Sequence, residues 1–119
     1  MKFSPLGLPG AWRIDIEPLA DERGLFARTW DAAEFAAAGI GAAPVQTSLS
    51  WNPHAGTLRG MHWQAAPHGE EKLVRCTRGR IHDVLVDLRD DSPTRLQHVA
   101  LELSADGREA VWIPAGVAH

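Results

Sequence analysis

From Asn52 onward the chain is interrupted by turn-forming residues at intervals of about 8–12 residues. They are Asn52-Pro53, Pro67-His68-Gly69, Arg78-Gly79, Asp90-Asp91-Ser92-Pro93, Ala105-Asp106-Gly107 and Pro114-Ala115-Gly116. The intervals hold apolar-rich stretches at 45–51, 57–64, 72–77, 81–88, 97–103 and 110–113. Regular short strands at this spacing predict an all-β sandwich or barrel. Alternation sorts the side chains into faces. In 81–88, Val84, Val86 and Leu88 share one face, and Asp83, Asp87 and Arg89 fall on the other. In the next stretch Val99, Leu101 and Leu103 face together.

The first third reads differently. Residues 12–16 alternate loosely before Pro18, and Asp21-Glu22-Arg23-Gly24 has the composition of a turn. Asp31 to Ala38 is the one helical stretch, with Asp31 to cap its first turn and Gly39 to close it. No repeat or linker divides the 119 residues, so 1–119 is expected to be a single domain. The net charge of -3 gives no basic field for nucleic acid. No apolar run approaches membrane-spanning length. The Pro- and Gly-broken N-terminus does not read as a signal peptide, and the single cysteine, Cys76, permits no internal disulfide. A cytoplasmic protein is expected, with Cys76 as a small buried apolar residue.

Chemistry concentrates in Gly56-Thr-Leu-Arg-Gly-Met-His62-Trp-Gln64 and Lys72-Leu-Val-Arg-Cys-Thr-Arg-Gly79. One histidine beside fixed cations suits proton abstraction next to a carbonyl. Histidine titrates nearest working pH, and Arg59 or Lys72 could hold the charge that develops on oxygen. Lys72 shares a parity with Val74 and Cys76, an unusual setting for a lysine without a partner. Arg59 and His62 have opposite parity, so they share a site only if Gly60 bends the strand. His54, His68, His82 and His98 read as structural or surface residues.

The same stretches resemble the metal-binding cupins, which are double-sheet jelly rolls. Gly56, five residues and His62 fit the start of their first motif, and Pro114-Ala-Gly-Val-Ala-His119 fits their second. Gln64 and Lys72 stand where the motif has a second His and a Glu. An ammonium in place of a carboxylate repels a divalent cation, so no metal or other cofactor is expected. The competing metal-cupin reading would use His62, His68 and His119 as ligands.

A more specific resemblance runs through nearly the whole chain. Asp21-Glu-Arg-Gly-Leu-Phe26, Gln46, Leu58-Arg-Gly-Met-His-Trp-Gln64, Lys72-Leu-Val74, Gly79, Asp83-Val-Leu-Val-Asp-Leu-Arg89, Ser92-Pro-Thr94, Trp112-Ile-Pro114 and Gly116-Val-Ala-His119 resemble the dTDP-4-dehydrorhamnose 3,5-epimerase family. The resemblance implies a metal-free, cupin-type double-stranded β-helix (jelly roll) that works as a homodimer, with the strand around Trp12 to Ile16 added to a neighbour's sheet. It implies a nucleotide-sugar substrate, inverted at carbons 3 and 5 beside a 4-keto group. His62 would be the base and Lys72 the enolate stabiliser. Arg23 and Arg59 would hold the diphosphate, Phe26 would pack on the nucleotide, and Gln46 and His119 would add polar contacts.

The chain also departs from that pattern. The family's proton-returning tyrosine and the aspartate that orients its base lie beyond the Pro-x-Gly-x-x-His block. This chain stops at His119 and has no Tyr. It therefore reads as an incomplete member with its C-terminal strands missing, weakly active or inactive as it stands. Arg28 replaces a common Glu, Ser48 a common Asn and Trp63 a common Tyr. The loop 51–56 is one residue longer. A non-catalytic sugar-nucleotide-binding jelly roll is the alternative, and epimerisation at one carbon a variant of the main reading.

Overall fold

The computed structural model describes residues 1–119. Nine strands and one helix follow in the order β1 (Lys2–Pro5), β2 (Trp12–Asp15), β3 (Leu19–Asp21), β4 (Gly24–Phe26), α1 (Ala32–Ala37), β5 (Lys72–Arg75), β6 (Arg80–Asp87), β7 (His98–Ser104), β8 (Ala110–Ile113) and β9 (Val117–Ala118). They form a four-stranded sheet β1-β2-β8-β5, a three-stranded sheet β7-β6-β9 and a separate hairpin β3-β4. Every strand pair is antiparallel.

Strand β8 organises the interior. All four of its residues are buried, as an unbroken Ala-Val-Trp-Ile run requires of a strand covered on both faces. Val111 and Ile113 point to one side, where they join Leu85, Leu103, Val117, Leu8, Ala11 and Cys76 in the core between the two sheets. Ala110 and Trp112 point to the other, where they meet Ile14, Phe35 and Ile40. Helix α1 closes that second core. Asp31 accepts hydrogen bonds from the amides of Ala33 and Glu34 at 3.0 and 3.1 Å. Beyond the helix, Gly39 donates to Ala36 O and Ile40 to Phe35 O, with Gly39 at φ +83°. This is the Schellman stop, and its apolar clasp is the pair Phe35 and Ile40.

Several sequence expectations change. Residues 45–51 and 57–64 are not strands. A strand exists only where a neighbour accepts its backbone bonds, and these residues make a single such pairing, at His62. Their apolar side chains are exposed, Val45 at 94% and Leu58 at 92%. In β6 the acidic face is the inner one. Asp83, Leu85 and Asp87 are buried, while Val84 and Val86 are only partly covered. Leu85 lies in the core between Asp83 and Asp87, and it carries both carboxylates inward with it. Strand β2, expected in a neighbour's sheet, lies inside its own sheet, with β1 on one side and β8 on the other. The Asp21-to-Gly24 turn is correct and closes the hairpin β3-β4, but the short flanking strands, β1 and β9 carry too few residues to show a period.

Candidate active site

His62 and His119 exchange both backbone bonds. His62 N–H donates to His119 O at 2.7 Å, and His119 N–H donates to His62 O at 3.1 Å. Such a reciprocal pair is one rung of an antiparallel ladder, so the two side chains leave the same face with their Cβ atoms about 5 Å apart. The two histidines are therefore neighbours on one rung. His62 is exposed rather than enclosed by the barrel, because the segment that carries it is held here by this rung and not by a sheet. His119, the other half of the rung, follows directly on strand β9. Ala118 pairs with Val86 and Val117 with Asp87, which ties His119 to the β6 sheet.

Gly60 has φ at +103°, yet no strand runs through it and Arg59 does not join His62. A Cβ built there would lie 2.8 Å from His119 O. Glycine is needed twice, for the positive φ and for the approach of the neighbouring main chain. Gly60→Ala is expected to break the rung at a cost of about 1–3 kcal/mol. Amide hydrogen exchange checks this. The His62 and His119 amides should lose protection in the variant, and unchanged protection would refute the role given to Gly60.

Lys72 opens β5 opposite Ile113. Its side chain is only 22% exposed, and Nζ sits 3.0 Å from Glu70 Oε1. The other oxygen of Glu70 accepts from Gln64 Nε2 at 2.9 Å. Glu70 thus supplies the partner that a lysine of that parity needs, and ties the two residues that break the cupin ligand pattern to one carboxylate. No three His, Cys, Asp or Glu side chains come together as a metal-ligand group, and His68 is exposed.

The remaining predicted residues lie apart from this group in the contacts they make. Arg59 is exposed, and its guanidinium donates to Asn52 Oδ1 at 2.6 Å and Trp51 O at 3.2 Å. Arg23 is 82% exposed and forks onto Asp21 across the hairpin turn. That guanidinium and the Arg23 N–H hold the Asp21 carboxyl below its ordinary range. Phe26 is exposed on β4, and Gln46 is exposed with no side-chain hydrogen bond. Arg28 reaches Asp31 at 3.1 Å, at the mouth of α1.

One residue at the site was missed from sequence. Asp83 Oδ1 lies 3.2 Å from His119 Nδ1. Its parity with Ile81 and Leu85 was the available signal, since an acid between two apolar residues of one face is out of place unless it has work there.

A family model described as dTDP-4-dehydrorhamnose 3,5-epimerase matches residues 5–119. The chain belongs to that family. A dTDP-4-dehydrorhamnose 3,5-epimerase from Sinorhizobium fredii is 38% identical over 123 residues, covering 100% of this chain and 61% of the relative. The solved dTDP-4-dehydrorhamnose 3,5-epimerase of Bacillus anthracis, with TDP and PPi bound, superposes with a TM-score of 0.95 at 35% identity, over 99% of this chain and 67% of that one. The Legionella pneumophila enzyme, in complex with dTDP-4-keto-L-rhamnose, gives 0.82 at 30% identity, over 99% and 62%. The chain thus spans roughly three fifths of the length of the curated relatives it matches. The facing sheets are the cupin-type jelly roll of the epimerase family. No helix is long and apolar enough to cross a membrane.

Proposed function

We propose that this chain binds a nucleotide-linked 4-keto-6-deoxy sugar and carries the base and the oxyanion partner of its epimerisation, from dTDP-4-dehydro-6-deoxyglucose toward dTDP-4-dehydrorhamnose. The observation that carries the reading is the backbone rung that makes His62 and His119 neighbours, in an epimerase-family chain whose half-buried Lys72 shares its parity with Val74, which packs against the core. The ketone acidifies the C–H bonds at carbons 3 and 5. The His62 imidazole takes one of these protons, the bonding pair becomes the enolate double bond, and the carbonyl pair moves to oxygen. The Lys72 ammonium steadies that oxygen, and its contact with the half-exposed Glu70 is weak enough to exchange for it. A proton returned from the opposite face completes the inversion.

Arg59 and Arg23 suit a diphosphate by their fork geometry, Phe26 suits the nucleotide ring, and Gln46 adds a polar contact. The hairpin β3-β4 pairs only with itself and exposes Leu19, Leu25 and Phe26. An isolated hairpin is marginal, which supports a homodimer in which Arg23 and Phe26 reach the partner's ligand. The assembly works in the cytoplasm without a metal or other cofactor.

Solvent exchange tests the reading. Removal and return of a proton by His62 alone washes deuterium into carbons 3 and 5, so the assay does not depend on inversion. In D2O the chain should label dTDP-4-keto-6-deoxyglucose. His62→Ala should abolish labelling. Lys72→Ala should slow it roughly 100- to 1000-fold with dTDP affinity kept, and Arg59→Ala should mainly weaken affinity. A wild-type chain that binds the sugar nucleotide and leaves both carbons unlabelled would be a binding module instead.

A further inference from the structure

Asp83 is a buried carboxylate, 7% exposed. It faces inward from β6 between Ile81 and Leu85, opposite Leu101 of β7. A carboxylate so placed needs donors. One oxygen, Oδ1, has His119 Nδ1 at 3.2 Å. The other, Oδ2, is buried and has no protein partner. A buried acceptor left without a donor requires an explanation beyond packing.

We propose that Asp83 is a positioning residue that fixes the His119 ring with its proton on Nδ1, so that Nε2 is offered as an acceptor to a hydroxyl of the bound sugar beside His62. An ionised carboxylate only accepts. The hydrogen between Oδ1 and Nδ1 therefore belongs to the imidazole, and the neutral ring carries its lone pair on Nε2. That nitrogen makes no hydrogen bond within the protein and is not buried. Two anchors then define where it sits. The main-chain rung fixes His119 against His62, and the carboxylate fixes the orientation of the ring. A sugar hydroxyl donating to Nε2 would hold the ring of the substrate in register with the base, His62, across the rung. The inference rests on the epimerase reading for the identity of the ligand, and on geometry alone for the tautomer.

The test has two arms. Long-range 1H–15N spectra of the histidine-labelled chain, recorded above the titration of the imidazoles, report the tautomer directly. Wild-type His119 should show a protonated Nδ1 and an unprotonated Nε2. Asp83→Ala should return the ring to the mixture of tautomers seen for exposed histidines. Asp83→Asn keeps the side-chain volume, and because an amide can also donate it should weaken the preference. The second arm is titration with dTDP-4-keto-6-deoxyglucose. Affinity should fall roughly 10- to 100-fold in Asp83→Ala, by analogy with the loss when the partner that orients a metal-binding imidazole is removed, while dTDP alone binds as before. A proton on Nε2 in the wild type overturns the proposal even if both variants fail to fold. A tautomer that changes in the variant with no change in sugar affinity overturns the acceptor role. The expected tautomer in a wild type that binds no sugar nucleotide sinks the epimerase reading and leaves the Asp83–His119 geometry standing.

Discussion

Phe35→Ala is expected to destabilise the fold by about 3–5 kcal/mol. The ring is 1% exposed and is the sole buried residue of α1. It meets Phe3 edge-on at 5.2 Å and Trp112 at 5.8 Å between centroids, and Trp30 lies at 6.1 Å. Edge-to-face pairs of this kind add about 0.5–1.5 kcal/mol each to the area they bury. A six-residue helix does not stand alone in water, so α1 exists because Phe35 fastens it to the sheet. The variant should lose both the apolar contact and the Schellman clasp to Ile40. Urea unfolding measures this as a fall in midpoint. Ala36→Ser, on the exposed side of the helix, should shift stability by no more than about 0.5 kcal/mol. Equal losses in the two variants would mean that helix propensity, not the clasp, decides.

Asp87→Ala should cost a similar amount, about 3–5 kcal/mol, and should add a pH signature. Asp87 is 0% exposed. It accepts from Arg89 Nε and Nη2 at 2.9 and 2.7 Å, from Ser92 Oγ at 2.6 Å, from Thr94 Oγ1 at 2.7 Å and from the Arg89 N–H at 3.1 Å. The guanidinium, then the two hydroxyls and the amide, hold its carboxyl well below the usual carboxylate range, against the burial that pushes it up. A depressed folded-state value means that the stabilisation is complete above the unfolded pKa of about 3.9. It is lost progressively as pH falls from about 5 toward the folded value. The wild type should therefore lose stability through this acid window, and the difference between wild type and Asp87→Ala should shrink with it. A difference that is the same at pH 3 and pH 7 would show that packing, not charge, makes the site. The loss should also reach the candidate site, because Val117 pairs with Asp87 and Leu88 N–H donates to Gly116 O just before the strand that leads into His119.

Much of this was legible in sequence, for identifiable reasons. The Asp31 cap and Gly39 stop act within a few residues, so local chemistry decides them. The run at 110–113 was legible as a strand, though not as one buried on both faces. What failed were properties of partners. Residues 45–51 and 57–64 have strand composition, but strand identity belongs to a pair of segments. Alternation in β6 separated its two faces correctly and could not say which was inner. Leu85 sits between Asp83 and Asp87, and that single leucine outweighed two carboxylates because both acids find donors inside. The Glu70 link between Gln64 and Lys72 depends on a loop whose path no periodicity encodes.

The position of β8 has a consequence for how the chain comes into being. Trp12 lies opposite Trp112, and Ile14 opposite Ala110. Neither core can close until the ribosome has released a residue about a hundred positions after the strand it must meet. At roughly 5–20 residues per second, the β1-β2 ribbon waits on the order of 5–20 s for its central neighbour. During that wait Ile14, Phe3 and Phe35 have no sheet to cover them, and the inner edge of β2 is open to any other strand. Topologies dominated by such distant pairings fold slowly. A cell making this protein quickly therefore faces an assembly problem set at its N-terminus and solved near residue 112, and a chaperone that shelters the first forty residues should raise its yield more than any change to the finished core.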